Sequence, residues 1–549
     1  MSNASQFLAG NAPDLGLMSV PARAAITAGD LVVFRESGGV TPYDPTLGLS
    51  SEISNTLGSK TLLAPSLAPG GANYIMRTIG PAAALLSNGN VVTCYSGNGT
   101  TATTNLNFRI TNKVGGVIVP QTVALAATGV YPHSVYATST GFVILFGNVS
   151  NTLAMTVYSN AGAQVLAATD IISDAASHTD QATFTGCLLA NGNLAIAYRR
   201  VTSNDCVLKV FSQAAAQVGA TITVAAGASP TFQAMAQAPV SGDIVLSYFA
   251  TSYRVARYTA AGAQVGSVLA FGPNSGVFAG AAWTKHCLAV FSDDRVAVMH
   301  ADSTSTSSPA LTFLSATNTA VTTITAAMLG SIAYSSSFPV IGCDGTTLYF
   351  HQQTTNAAYT AGTWRSDGGG RTAPASFACT ALSSSSWAPG NYGYARLLPL
   401  GAAGFALLFM GNTGGPTYAA QTLYIPADRN SADTSVVTLH ADSAVARAGS
   451  IALPVAEGVV YIAYAAGISA VYTDPSAAVF AFPRAAIFGV AQESAAAGDL
   501  VTVATKGTFT LPAAQQGGIS TNFDGRAYGI AGNKGTLAGA SIVLLGLTG

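Results

Sequence analysis

The chain has 549 residues, with 22 Lys+Arg against 23 Asp+Glu, and only 8% of its residues are charged. Its near-zero net charge and few lysines exclude phosphate-backbone binding as a main activity and give no pull toward an anionic membrane surface. Although 49% of the residues are hydrophobic, no apolar run reaches the roughly 18 residues of a membrane-spanning helix.

From the N-terminus, MSNASQFLAGNAPDLG has no basic stretch followed by an apolar one, so Sec export is not expected. The six cysteines form no C-x-x-C pair and read as reduced thiols in strands of a protein made in a reducing cytoplasm. Residues 20–34, VPARAAITAGDLVVF, place the turn Ala28-Gly29-Asp30 ahead of a strand beginning at Leu31, and RESGGVTPY supplies a second turn and strand. Residues 1–60 are therefore expected to form an N-terminal β anchor module.

A repeat follows. Turn pairs at Asn88, Thr140, Asn191, Ser241, Asp293, Asp344, Ala403 and Glu457 each precede an apolar strand such as NVVTCY, FVILF or NLAIAY, at a period of about 50 residues. After a polar loop comes another strand (LNFRIT, LAMTVYS, CVLKVFS, YRVARYT), closed in three units by SNAGAQV, SQAAAQV and TAAGAQV. Four antiparallel strands per unit predict an all-β fold, a β-propeller of seven or eight four-stranded blades over residues 61–484. Asn-Gly and Asp-Gly corners predict type I′ hairpins.

Loops after the first strong strand of each unit vary in length and should share one propeller face with the blade-to-blade crossovers. Candidate host-contact residues on or beside them are Tyr95, Asn98, Arg199, Arg200 and Tyr248, with Tyr198 and Phe249 as further aromatics. Their bland reading is a set of solvent-exposed loops. Arg199-Arg200 reads either as a neighbour salt bridge or as a contact for an acidic glycan.

Beyond the repeat, residues 490–503, VAQESAAAGDLVTV, echo the N-terminal segment: Asp499-Leu500 stands where Asp30-Leu31 does. A C-terminal β module, 485–549, is expected to pack with the N-terminal arm as a small β-barrel or β-clip, with Asp30, Leu31, Asp499 and Leu500 as candidate assembly residues. The stretch AIFGVAQESAAAGDLVTVATKGTFTLP, 486–512, together with the charge-poor Ser/Thr/Asn/Gly/Ala-rich body, resembles bacteriophage virion proteins of the head-decoration and tail-fibre kind. The resemblance covers about 27 residues closely, and the pattern it rests on is structural, so it brings no catalytic residues.

Catalysis needs its own residues, because propellers host enzymes too. Paired carboxylates for glycoside hydrolysis are scarce: of the glutamates at 36, 52, 457 and 493, only Glu457 falls in the repeat, at a turn. Ser366-Asp367-Gly368-Gly369-Gly370 reads as a Gly-rich turn, and the lysine-bearing Gly-rich stretch 529–536 likewise. The histidines at 133, 178, 286, 300, 351 and 440 have no metal-ligand spacing. Neither cofactor nor metal is expected.

These readings converge on a non-enzymatic structural protein of a bacteriophage virion, a tail fibre or similar appendage whose propeller contacts the host. A capsid-attached head fibre or decoration protein is one alternative, and a propeller-type carbohydrate-active enzyme the other. Expected partners are other virion proteins, further copies of the chain (trimeric, by the resemblance) and a host surface glycan or receptor, but neither nucleic acid nor membrane. The expected location is the virion, after synthesis in the host cytoplasm.

Overall fold

One five-residue corner recurs along the chain and sets its architecture. At 86–90 the Gly89 N–H donates to Leu86 O at 2.9 Å, the Leu86 N–H donates to Asn90 O at 2.7 Å, and Gly89 takes φ +82°. Corners 189–193 and 291–295 repeat it around Gly192 (+83°) and Asp294 (+67°), and corners 159–163, 212–216 and 315–319 around Gly162, Ala215 and Asn318. This is a type I turn followed by one left-handed residue, which forms a bulge. The expected type I′ geometry is thereby corrected. Asn88 is not left-handed, and its Oδ1 accepts from Asn90 N at 3.1 Å. The extra bulge residue supplies the strand twist that a two-residue loop would otherwise have to provide.

The computed structural model describes residues 17–34, 40–43, 55–56, 61–62, 82–96, 105–112, 116–127, 130–148, 151–176, 183–250, 252–271, 288–302, 305–325, 328–329, 340–343, 345–355, 358–369, 372–378, 396–399, 405–414, 417–425, 436–442, 451–456, 459–467, 473–481, 487–515, 522–524, 533–538 and 541–547. Among them are eight antiparallel sheets built alike. Blade one runs Ala82–Leu85, Val91–Ser96, Leu106–Thr111 and Val117–Leu125 in spatial order. Blades two to seven cover 131–172, 184–225, 231–271, 288–324, 340–378 and 396–442. Blade eight takes three strands from 451–481, and its outermost partner comes from the other end of the chain: Thr56 pairs Phe480, Asn55 pairs Ala481, and Leu62 pairs Ser476. First strands of successive blades pack side by side, and that of blade eight reaches that of blade one. The described residues thus form a closed β-propeller of eight blades. The ring also takes in residues 55–56, on the N-terminal side of the expected boundary at 60.

The connections give the ring two unlike faces. Among the described residues, the tight corners after the first and third strands of a blade lie on one face. Loops after the second strand lie on the other, with the crossovers to the next blade. In blade eight Thr473–Ala481 is a third strand, so Ala481 ends at the tight-corner face, and its register partner Asn55 starts there. Both flanking segments therefore join the ring on the tight-corner face, away from the variable loops.

Apolar residues fill the spaces between blades. Phe108, Phe142 and Tyr158 interlock between blades one and two, with ring centroids 4.6–5.5 Å apart. Further such layers join blades two to three, three to four, and four through six. Between blades four and five the joint is also ionic. Arg257, 1% exposed, places Nε 3.0 Å from Asp243 Oδ2 and donates from Nη1 to the Asp294 carbonyl at 3.1 Å. The Asp294 carboxylate accepts the Val240 and Ser241 N–H groups, each at 2.7 Å. One carboxylate thereby caps the corner of the preceding blade.

The flanking segments weave into a single sheet with the order Leu17–Pro21, Leu500–Ala504, Ile487–Ala491, Leu31–Phe34, Val40–Pro42. Ala22 also bridges Val40, so the outer strands meet as in a small barrel. Matching Asp30 with Asp499 also matches Ala22 with Ala491 and Ile26 with Ala495, and the hydrogen bonds exchange accordingly. Ala22 N donates to Asp499 O (2.7 Å) and Ala491 N to Asp30 O (2.8 Å), while Ile26 and Ala495 bond each other in both directions (2.9 and 3.0 Å). Gly29 and Gly498 sit at φ +89° and +97°, which is why both copies carry glycine before the aspartate. A second C-terminal sheet follows in the order Lys506–Thr510, Ser541–Leu547, Asn533–Ala538, Asn522–Asp524.

Gln515 locks the woven sheet. Buried at the end of a short 3-10 turn, it accepts the Leu31 N–H at 2.7 Å and donates to Tyr43 O at 2.9 Å. Gln515→Ala would strand these buried groups and should lower stability by about 1–3 kcal/mol. Limited proteolysis checks this: cleavage within residues 17–43 should quicken, and an unchanged rate there would remove Gln515 from that role.

Candidate recognition face and assembly anchor

The described second-strand residues of blades one to five are buried on both faces over 91–95, 141–147, 194–198, 244–248 and 296–300, because each of these blades lies between two others. This decides the fate of the expected aromatic contacts. Tyr95, Tyr198 and Tyr248 close the second strands of blades one, three and four and are 1%, 0% and 0% exposed. All three are covered, so the expectation that Tyr95 and Tyr248 offer host contacts is corrected. Burial also pushes the Tyr198 phenol up to about 12. Phe249 packs half-buried against the blade four to six core, and Asn98 lies outside the described residues.

Arg200 reaches the loop face, but not as a free cation. Arg200 Nε lies 3.2 Å from Asp174 Oδ2, and Nη1 lies 3.9 Å from Asp205 Oδ2. Asp205 in turn accepts the Ser203 hydroxyl at 2.6 Å and the Gly227 N–H at 2.8 Å; these contacts hold its carboxyl below the usual carboxylate range. The charge of Arg200 is thereby balanced, whereas no ion pair of Arg199 is seen among the described residues. At Arg200 the salt-bridge reading matches what is seen.

The loop itself is held on both sides by crossovers. Val201 N donates to Asp174 O (2.9 Å), Ala176 N to Arg199 O (2.7 Å), and Ser229 N to Asn204 O (3.0 Å), with Asn204 left-handed at φ +57°. Blade three thus presents a fixed, polar edge tipped by Val201, 41% exposed. Sequence reasoning missed Asp174, because an aspartate in a crossover carries no signal of its partner across the loop.

At the anchor the assembly candidates divide. Asp30 is a turn residue: its Oδ2 accepts from Thr27 N at 2.8 Å. Leu31, a candidate assembly residue, is fully buried beneath Gln515 within the anchor; its equivalent Leu500 is 64% exposed. Asp499 is exposed and serves the sheet through its carbonyl. Only Leu500 of the four offers apolar surface.

Other residues weighed for chemistry have structural partners. His300 bonds the Thr312 hydroxyl at 2.8 Å and stacks on Phe271, and His133 meets Phe184 edge-on. Asp367 closes a tight corner by accepting from Gly369 N at 2.8 Å. Among the described residues no group of three or more His, Cys, Asp or Glu is placed to hold a metal ion, and no helix is long and apolar enough to cross a membrane. Residues 529–532 and His178 and His286 lie outside the described residues.

The chain matches no protein-family model and no curated protein sequence. It is similar to the Dos1 propeller at 9% identity and a TM-score of 0.43, over 80% of this chain and 96% of that one. Similarity to the BP39L lectin from Burkholderia pseudomallei is 11% identity and a TM-score of 0.40, over 63% and 96%. For puromycin hydrolase the values are 14% and 0.35, over 75% of this chain and 57% of that one. The propeller assignment rests on the strand order and ring closure described above.

Proposed function

We propose that this chain is a non-enzymatic structural protein of a bacteriophage virion, a tail-fibre-like appendage in which the woven sheet anchors the chain to other virion proteins and the propeller faces the host. One observation carries the reading: both flanking segments join the ring on the tight-corner face, while the variable loops open on the opposite face. Between Ala481 and Ile487 the chain can span at most about 22 Å, so the anchor stays close to its exit point. A surface with 8% charged residues adds little repulsion between neighbouring copies, in keeping with a homo-oligomeric, trimeric appendage. The fixed, polar loop of blade three fits contact with a host glycan.

Two variants test the division of labour in particles of the virus that encodes the chain. Deleting residues 486–549 leaves the strand pairing that closes the ring in place, and it should abolish incorporation. Replacing Val201–Asn204 by a Gly-Ser turn should spare incorporation and alter adsorption. Normal incorporation of the deletion, with loss of incorporation in the loop variant, would overturn the reading.

A further inference from the structure

We infer that the woven anchor sheet is an exchange site, in which the flanking arm of a second copy of this chain takes the place of the chain's own arm. The inference goes beyond the virion reading and does not depend on it. It starts from the pairing: Leu17–Pro21 finds its partner in Leu500–Ala504, and Leu31–Phe34 in Ile487–Ala491. Each copy of the A-G-D-L-V motif thus takes strand partners from the other copy. The core is shared in the same way, with Val20, Ile26 and Val32 packed against Val501 and Val503.

Every one of these contacts joins segments hundreds of residues apart, so an arm from a neighbouring chain can make the same set without a new interface, as in domain swapping. The near two-fold relation between the motifs means that two chains exchanging arms satisfy both pairings at once. Closure within one chain is favoured in dilute solution, because short tethers give effective concentrations of order millimolar. Exchange is favoured where copies are crowded, as during assembly. The exposed Leu500 lies in the exchanged strand itself.

The test uses full-length chains with one added cysteine each, A28C or S494C. Both positions are exposed, and Ala28 N lies 3.0 Å from Ser494 Oγ, within reach of a disulfide in the paired sheet. The two variants are mixed, unfolded in urea with reductant, refolded together at two concentrations and oxidised. The expected product is a cross-linked species of twice the chain's mass, whose share of all chains rises roughly tenfold for a tenfold rise in concentration while it remains minor. It should be absent when the variants are refolded separately and then mixed. A chain carrying both substitutions should close on itself, which verifies the pairing. A mixed product no stronger than either variant gives alone, or a double variant that does not close, overturns the inference.

Discussion

Arg257→Ala should lower the unfolding free energy by about 3–5 kcal/mol, because it leaves two buried carboxylates without their cation. The guanidinium is 1% exposed and bonds both Asp243 and the Asp294 carbonyl, so no water can take its place cheaply. The measurement is the urea midpoint at unchanged slope. The paired variant R257L/D243L should recover most of the loss. It removes both charges of the closest contact and leaves Asp294 its two N–H donors from Val240 and Ser241. A single variant within about 0.5 kcal/mol of the parent would mean that the joint is not held ionically.

The same joint has a defined response to acid. Burial pushes the Asp294 carboxyl up, but the Val240 and Ser241 donors and Arg257 outweigh it and hold the group below its ordinary value. A depressed carboxyl contributes its stabilisation fully above the unfolded value near ~3.9 and loses it as pH falls through the folded value. Loosening between blades four and five is therefore an acid-side effect.

Much of this fold could be read from the chain because the propeller repeats one local device. Turn residues such as Asn88-Gly89 and Asn191-Gly192 mark the corners, and apolar runs such as FVILF mark strands buried on both sides. The A-G-D-L-V echo likewise pointed to arms that pack together. Closure of the ring was not legible, because the outer strand of blade eight is made from Asn55–Thr56 and Thr61–Leu62, pairings too short to leave a periodic signal. The candidate site was read less well. Tyr95 and Tyr248 look available beside polar loops, and only the packing of blade on blade shows that they are covered. Arg257 looks like an ordinary strand arginine until the corner of the next blade is set against it. Such partners lie one blade away, where local spacing carries no information.

Tyr461→Ala should open the ring at one place. The chain runs from Asn55–Thr56 and Thr61–Leu62 in blade eight on to Ala82 in blade one, but only strand pairing joins those short outer strands to Thr473–Ala481, so the three other strands of blade eight meet blade one through non-covalent contacts. Tyr461 is fully buried there, in the second strand of blade eight, with its hydroxyl 3.1 Å from Thr93 Oγ1 of blade one. Truncation removes the ring and leaves a cavity, a loss of about 3–5 kcal/mol. Tyr461→Phe removes only the hydroxyl contact, about 1 kcal/mol. Because the damage is confined to a seam, hydrogen exchange in the alanine variant should accelerate first at 82–96 and 451–467 and leave 194–211 in blade three close to the parent. Equal acceleration in all blades would show that the ring unfolds as one unit and that the seam is no weaker than its other joints.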